Sequence, residues 1–285
     1  MRSLIAVLLA FVTSTLYALS TSLQALEARR TPRSTALRAK LLARLARRPL
    51  WLGGMVAGVV AWPLQAAALA FGSVALVQPA LGFGLVVLLA LGVLLLGERV
   101  GLREVGGACA VAAAVGVLGW AAPPSTGAYS HAGVWFVGAG VIALAPVPLL
   151  LRRIGRAGGL PTSLAAGVGW AWVAFATSLF DQSLADRHLI WVAVWGVAVA
   201  VVSWGTLILE MTSLQCWPAT RAIPMAFGLE MLLPAALDPV LTHAVPPHPV
   251  AFGGALALAC AGAVLLGGSR VVATAAAPEA LRSPP

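Results

Sequence analysis

Long runs of apolar residues follow one another along most of the chain. Each run holds about 20 residues, which is enough for an α-helix to cross roughly 30 Å of hydrocarbon. Because backbone polar groups inside a bilayer must bond within their own segment, runs of this length predict membrane-spanning helices. Nine spans are predicted, at Ser3–Leu26, Leu50–Phe71, Val74–Leu96, Glu104–Ala121, Ala132–Leu151, Thr162–Phe180, Leu189–Leu209, Ala219–Val240 and Pro249–Gly268.

The composition agrees with this pattern. Hydrophobic residues make up 60% of the 285 residues and charged residues only 9%, and the mean hydropathy is +0.96. A soluble protein of this size could not cover so much apolar surface. We therefore predict an all-α polytopic membrane helical bundle of about nine transmembrane helices. Residues 1–271 are predicted to form one integral membrane domain, and residues 272–285 a disordered cytoplasmic tail.

Basic residues cluster beside the spans and predict the orientation of the chain. Eight of the 18 basic residues fall between Arg29 and Arg48, directly after the first span. Basic loops stay in the cytoplasm, so the N-terminus is predicted outside the plasma membrane and the C-terminus inside. We favour this explanation of the +9 net charge over nucleic-acid binding. A cleaved signal peptide is disfavoured because the basic cluster follows the apolar run instead of preceding it.

Within the basic cluster, residues 35–48 have a periodic pattern of their own. Leu37, Leu41 and Leu45 repeat every four residues, while Arg44 and Arg47 lie off that stripe. One interpretation is a short amphipathic helix on the cytoplasmic surface, attracted to anionic lipid. The other is a solvated basic loop, and the pattern does not decide between them.

The two halves of the chain look related. A shift of 147 residues aligns Gly-Gly-Ala at 106–108 with Gly-Gly-Ala at 253–255. The predicted organisation is repeat one at 3–121, a linking helix at 132–151 and repeat two at 162–268. An offset of five spans reverses the orientation, which gives the inverted repeats of many secondary transporters. A shift of 145 residues aligns Leu69 with Leu214, Pro79 with Pro224, Leu88 with Leu233 and Leu96 with Leu241.

The stretch Ala68–Gly119 carries a more specific pattern. A small-residue turn precedes an apolar helix with an early proline, then come Leu96-Gly97-Glu98-Arg99, a short charged loop and a Gly-rich last helix. This stretch resembles the repeat of the drug/metabolite transporter superfamily, both its EamA-like members and their NIPA-like relatives. The resemblance implies a transporter fold with a central cavity, and substrate export or exchange by alternating access.

The chain departs from that family pattern in two ways. EamA-like members usually have ten spans, whereas nine are predicted here. Leu241-Thr242-His243 stands in the second half where Leu96-Gly97-Glu98 stands in the first. The nine-span form resembles the NIPA-like branch, whose members are linked to magnesium transport, so the resemblance does not identify the substrate.

Ionisable residues inside the spans are the first candidates for a substrate site, since a charge in hydrocarbon is costly unless it is paired or wet. Glu230 lies near the middle of the eighth span. We favour protonation or cation binding there over a structural hydrogen bond. Arg221 lies nearer the cytoplasmic end of the same span. It would bind an anionic substrate group, pair with Glu210, or snorkel to the interface.

Amides and aromatic residues complete the predicted substrate site. Gln65 aligns with Glu210 under the repeat shift, and Gln78 lies in the third span. Both would line a cavity, although an amide that bonds across helices is slightly favoured. Tyr17 and Trp170 lie on polar stripes of the first and sixth spans and would wall the site. Interface anchoring explains membrane tryptophans equally well.

The sequence lacks a phosphate-binding loop, a zinc-ligand helix and a nucleophile motif, so we predict no enzyme, no cofactor and no metal site. The predicted function is a secondary transporter, an exporter or exchanger of small metabolites or drugs that works by alternating access. Two alternatives stay open: a magnesium or other divalent-cation transporter, and a membrane scaffold without transport. The predicted partners are a small-molecule substrate and the lipid bilayer, with no nucleic acid and with homodimerisation left open.

Overall fold

The computed structural model describes residues 2–71, 74–121, 133, 135, 159–242 and 245–267, and most of them lie in helices. In these ranges 89% of the residues are helical and none is in a strand. The all-α prediction is therefore confirmed for this part of the chain. The predicted linking helix at 132–151, apart from Gly133 and Trp135, and the predicted tail at 272–285 lie outside the described residues.

Eight of the nine predicted spans coincide with long helices, whose ends differ from the prediction by a few residues. A short helix, α2, lies between the first two long helices, and it follows a 3-10 turn at Arg33–Thr35. The helices are α1 Arg2–Arg29, α2 Ala39–Leu45, α3 Pro49–Phe71, α4 Val74–Leu96, α5 Leu102–Ala121, α6 Gly159–Ala185, α7 Leu189–Cys216, α8 Ala219–Thr242 and α9 Pro249–Gly267.

Four of these helices are long and apolar enough to cross a bilayer within the part of the chain that the structure describes. They are α1, α6, α7 and α9, with candidate spans of 26, 27, 28 and 18 residues. At 1.5 Å per residue each of them reaches roughly 27 Å or more, close to the thickness of a hydrocarbon core. The described residues thus form an all-helical structure with four candidate membrane-spanning helices.

Polar and apolar side chains are distributed in the opposite way to a soluble protein. Large aliphatic side chains are exposed, among them Leu94 at 77% and Val59 at 67%, whereas Thr13 and Ser163 are fully buried. Soluble monomers rarely expose apolar surface on this scale. The distribution is compatible with a bundle that turns its apolar faces to lipid and keeps its polar groups inside.

The helices pack in two groups with the same order of contacts. In the first group, α1 packs against α3 and α4, and α4 packs against α5. In the second group, α6 packs against α7 and α8, and α8 packs against α9. The most extensive contact between the groups joins α5 to α9, while α1 also reaches α7 and α8.

Glycines allow α5 and α9 to approach closely. A Cβ on Gly262 would lie 2.8 Å from the Gly107 carbonyl oxygen and 3.0 Å from a methyl carbon of Val111. We expect Gly262→Val to force the two helices apart and to lower stability by about 1–3 kcal/mol. Thermal unfolding in detergent would measure the loss. Gly254→Val is the matched control, because a Cβ there meets nothing within 4 Å, and an equal loss in both variants would contradict the packing argument.

The basic segment between α1 and α3 corrects both interpretations of residues 35–48. The amphipathic helix exists as α2, but its apolar face packs on the protein and not on lipid. Leu41, Leu42 and Leu45 are buried in a cluster that includes Ala28 of α1 and Met211 of α7. Leu37 is outside the helix, with a φ of +57°, and its N–H donates to the Thr212 hydroxyl at 3.0 Å. The segment therefore caps one end of the bundle.

Candidate transport site

The predicted site residues lie on six helices, and the structure brings only part of them together. Glu210 of α7 and Trp170 of α6 form a direct contact, in which the indole Nε1–H donates to the Glu210 Oε2 at 2.9 Å. Gly169 makes this approach possible, since a Cβ there would overlap the Thr206 side chain of α7. An indole nitrogen only donates, so it satisfies a carboxylate oxygen that would otherwise lack a partner in hydrocarbon.

A second glycine, Gly167, lets α8 pack closely against another face of α6. A Cβ on Gly167 would lie 2.6 Å from the Ala226 carbonyl oxygen and 2.8 Å from the Leu229 Cβ. Glu230 follows Leu229 on α8, and its carboxylate is close enough to interact electrostatically with the Glu210 carboxylate. Glu230 is also within electrostatic range of the Tyr17 hydroxyl on α1.

Four predicted residues from both helix groups therefore converge, and we call Tyr17, Trp170, Glu210 and Glu230 the carboxylate site. All four residues are half-buried, and the two carboxyl groups lie inside the protein. The site contains two carboxylates, a phenol and an indole. This combination suits a cation, through charge attraction and through the faces of the aromatic rings.

One end of the bundle is held by buried ion pairs, and Arg221 belongs to them. Its guanidinium donates to the Glu104 Oε1 from Nη2 at 2.5 Å and from Nε at 3.1 Å. Each of these two side chains is only 2% exposed. Arg221 is therefore bound to the start of α5, and the pairing with Glu210 that the sequence suggested is replaced by a pairing with Glu104.

Glu98 makes a second set of contacts between helices at the same end of the bundle. Its carboxylate accepts the backbone N–H groups of Ala219 at 2.6 Å and Thr220 at 2.9 Å, and it forms an ion pair with Arg29. The carboxylate thus satisfies two free N–H groups at the N-terminus of α8 and meets the positive end of that helix dipole. Arg29 is the last residue of α1 and Glu98 follows the end of α4, so these contacts connect α1, α4 and α8.

The Leu96-Gly97-Glu98 sequence explains how Glu98 reaches this position. Gly97 ends α4 with a φ of +63°, and the Glu98 N–H bonds back to the Gly92 carbonyl at 2.9 Å. This is the glycine C-cap that closes many helices. Glu27 adds a third acidic group at this end, paired with Arg30 and Arg48. We call Glu27, Glu98, Glu104 and their arginine partners the charged layer.

The carboxylate site lies well inside the bundle when measured from the charged layer. Tyr17 is 12 residues from the end of α1, Trp170 is 11 residues from the start of α6, and Glu230 is 11 residues from the start of α8. At 1.5 Å per residue these three positions are about 16–18 Å deep, about half of a 30 Å hydrocarbon thickness. Glu210 is six residues from the end of α7, so its backbone is only about 9 Å deep, and its carboxylate meets the deeper Trp170 indole.

The two predicted glutamines are not placed at the site by the described contacts. Gln65 is half-buried on α3. Gln78 lies on α4, and its side chain falls outside what the structure describes.

Sequence reasoning missed Glu98 and Glu104 as organising residues, because both stand at helix ends where charges usually face water. The glycine before Glu98 was the available signal.

Comparison with known proteins gives a limited result. No family model matches the chain, and no solved structure matches it. A curated relative, an uncharacterized protein of Corynebacterium glutamicum, is 34% identical over 116 residues. The matched region covers 41% of this chain and 40% of that protein, so the chain spans well under half of the relative's length.

Proposed function

We propose that this protein is a secondary transporter of small metabolites or drugs that works by alternating access. The observation that carries the proposal is the carboxylate site. The Glu230 and Glu210 carboxylates stand about 16 Å and about 9 Å inside a bundle with an apolar outer surface, where unpaired charge is costly and is usually retained for function. The resemblance of Ala68–Gly119 to the drug/metabolite transporter repeat supports the same reading.

The order of helix contacts supports inverted repeats at 3–121 and 162–268. Each group places its first helix against the second and third, and its third against the fourth. The two first helices also run in opposite directions. α1 ends at the charged layer with Arg29, whereas α6 begins there, since a Cβ on Gly159 would overlap the side chain of Trp217. Trp217 itself packs on the cluster that contains Ala28.

The same geometry supports nine spans with the N-terminus outside. α5 begins at the charged layer with Glu104, and α6 begins there with Gly159. In our proposal the fifth span, at 132–151, connects the far end of α5 back to the start of α6. Basic residues of α2 and of the first turn of α5 are exposed at this end, among them Lys40, Arg44 and Arg103. The positive-inside rule then places the charged layer in the cytoplasm.

The charges of the site favour a cationic substrate. Apart from Arg221, the nine predicted spans contain no arginine, lysine or histidine. Arg221 is buried against Glu104, so an anionic substrate has no free positive partner in the spans. Mg²⁺ prefers six oxygen ligands in an octahedron, whereas one oxygen of the Glu210 carboxylate already accepts the Trp170 N–H. A monovalent organic cation fits two carboxylates and two aromatic rings better.

Transport by the purified protein in liposomes tests the proposal. We expect uptake of tetraethylammonium, a small organic cation that does not cross lipid unaided, to exceed that of protein-free liposomes. Ethanesulfonate, a small anion, should not be taken up. Uptake of Mg²⁺ alone would favour the divalent-cation alternative. If none of the three solutes entered the liposomes, this proposal would be wrong.

A further inference from the structure

We propose that Glu98 is the latch of a gate at the charged layer, and that the gate opens when Glu98 releases the first turn of α8. This inference rests on the proposed function, because it identifies the contact that alternating access would have to break. It follows from three observations: which helices the contact joins, how α8 is built, and how accessible the contact is to water.

The first observation is that the contact joins the two groups of helices. Glu98 follows α4 and binds Arg29 of α1, both in the first group, while Ala219 and Thr220 begin α8 in the second group. α1 and α8 both contribute to the carboxylate site through Tyr17 and Glu230. A displacement of the first turn of α8 away from α1 would therefore open a route between the site and the charged layer.

The second observation is a weak point in α8 immediately after the latch. Pro224 lies five residues inside the helix. A proline has no N–H, so the hydrogen bond to the carbonyl four residues earlier, that of Thr220, is missing. The Thr220 hydroxyl is also buried without a hydrogen-bond partner. Residues 219–223 are thus attached to the rest of α8 by fewer hydrogen bonds than an ordinary first turn, as at other proline kinks.

The third observation is that the arginine partner of Glu98 is more exposed to water than the arginine partner of Glu104. The Glu98 side chain is 4% exposed and both side chains of the Glu104–Arg221 pair are 2% exposed, but the Arg29 side chain that pairs with Glu98 is 27% exposed. Water can therefore reach the Arg29 guanidinium and replace Glu98 as its partner more readily than it can enter the Glu104 pair. Glu98 is therefore the contact that can break and re-form, while Glu104 and Arg221 keep the turn attached to α5.

Thiol labelling tests the latch without measuring transport. The reporter is Tyr17→Cys in the full chain with Cys109, Cys216 and Cys260 changed to serine, reconstituted in liposomes. A membrane-impermeant maleimide is added to one face at a time. We expect Glu98→Gln to raise the labelling rate from the charged-layer face about tenfold or more, and to lower it from the opposite face.

Glu27→Gln is the matched control, since Glu27 carries the same charge in the same layer but pairs with Arg30 and Arg48, which do not belong to α8. It should leave both labelling rates unchanged. Arg29→Gln provides a second test should Glu98→Gln not fold, with a smaller rise expected from the charged-layer face. Unchanged labelling in the folded latch variant, an equal effect of Glu27→Gln, or a rise from both faces would overturn the proposal. If labelling of the Glu98→Gln reporter rose from the charged-layer face only, but the unmodified protein carried no tetraethylammonium into liposomes, the latch would be upheld and the transporter proposal would be removed.

Discussion

Replacing Glu104 by glutamine should destabilise the protein by about 3–5 kcal/mol, because Arg221 would remain buried without its charged partner. The pair is 2% exposed on both sides, and its two hydrogen bonds are 2.5 and 3.1 Å long. Burial of this kind leaves an unpaired guanidinium little access to water. Thermal and denaturant unfolding in detergent would measure the loss, and reduced yield of folded protein would accompany it.

Two further variants separate the loss of the pair from the loss of one charge. Glu27→Gln removes an acidic group that is itself only 4% exposed, but its partners Arg30 and Arg48 are 54% and 48% exposed. These arginines stay hydrated when they lose Glu27, so the variant should cost clearly less stability than Glu104→Gln. Replacing Glu104 and Arg221 together by methionine should recover most of the lost stability, since a buried ion pair is often no better than apolar residues of similar volume. If Glu104→Gln cost no more than Glu27→Gln, the buried pair would not hold this end of the bundle.

The helices were predictable from the sequence because hydrocarbon allows few alternatives. A run of 20 apolar residues must form a helix to satisfy its backbone, so α4 has the limits that the apolar run Val74–Leu96 predicts. The helices α6 and α7 extend beyond their predicted spans to Ala185 and Cys216. Hydropathy locates the part of a helix that suits lipid, and it does not register the polar turns that continue past it.

The contacts between distant residues were not predictable in the same way. Glu104 and Arg221 are 117 residues apart. Each stands at the end of a predicted span, where water can solvate a charge as well as an ion pair can stabilise it, so the sequence does not require the two to pair. Trp170 was expected at a site because it lies on the polar stripe of the sixth span, and Glu210 because it aligns with Gln65 and was a possible partner of Arg221. These patterns identified the two residues but not their hydrogen bond. The bond depends on Gly169 admitting the Thr206 side chain, a detail of packing that hydropathy does not contain.

The carboxylate site leads to the second prediction with a large expected effect. Replacing Glu230 by glutamine should raise the Kd for tetraethylammonium about thirtyfold or more, corresponding to roughly 2–5 kcal/mol for a buried charge partner. Glutamine keeps the shape of the side chain and removes its charge, so a cation loses attraction while the packing of α8 against α6 is preserved. Equilibrium binding to detergent-purified protein would measure the change without requiring transport.

Glu210→Gln should weaken tetraethylammonium binding less than Glu230→Gln. One oxygen of the Glu210 carboxylate already accepts the Trp170 N–H at 2.9 Å, which spreads part of its charge onto the indole and limits the directions from which a cation can approach. Glu230→Asp keeps the charge and should retain most of the affinity. The Glu27→Gln variant, altered at the charged layer and not at the carboxylate site, should bind as the unmodified protein does. Equal weakening by Glu210→Gln and Glu27→Gln would mean that net charge, and not this arrangement of side chains, attracts the cation.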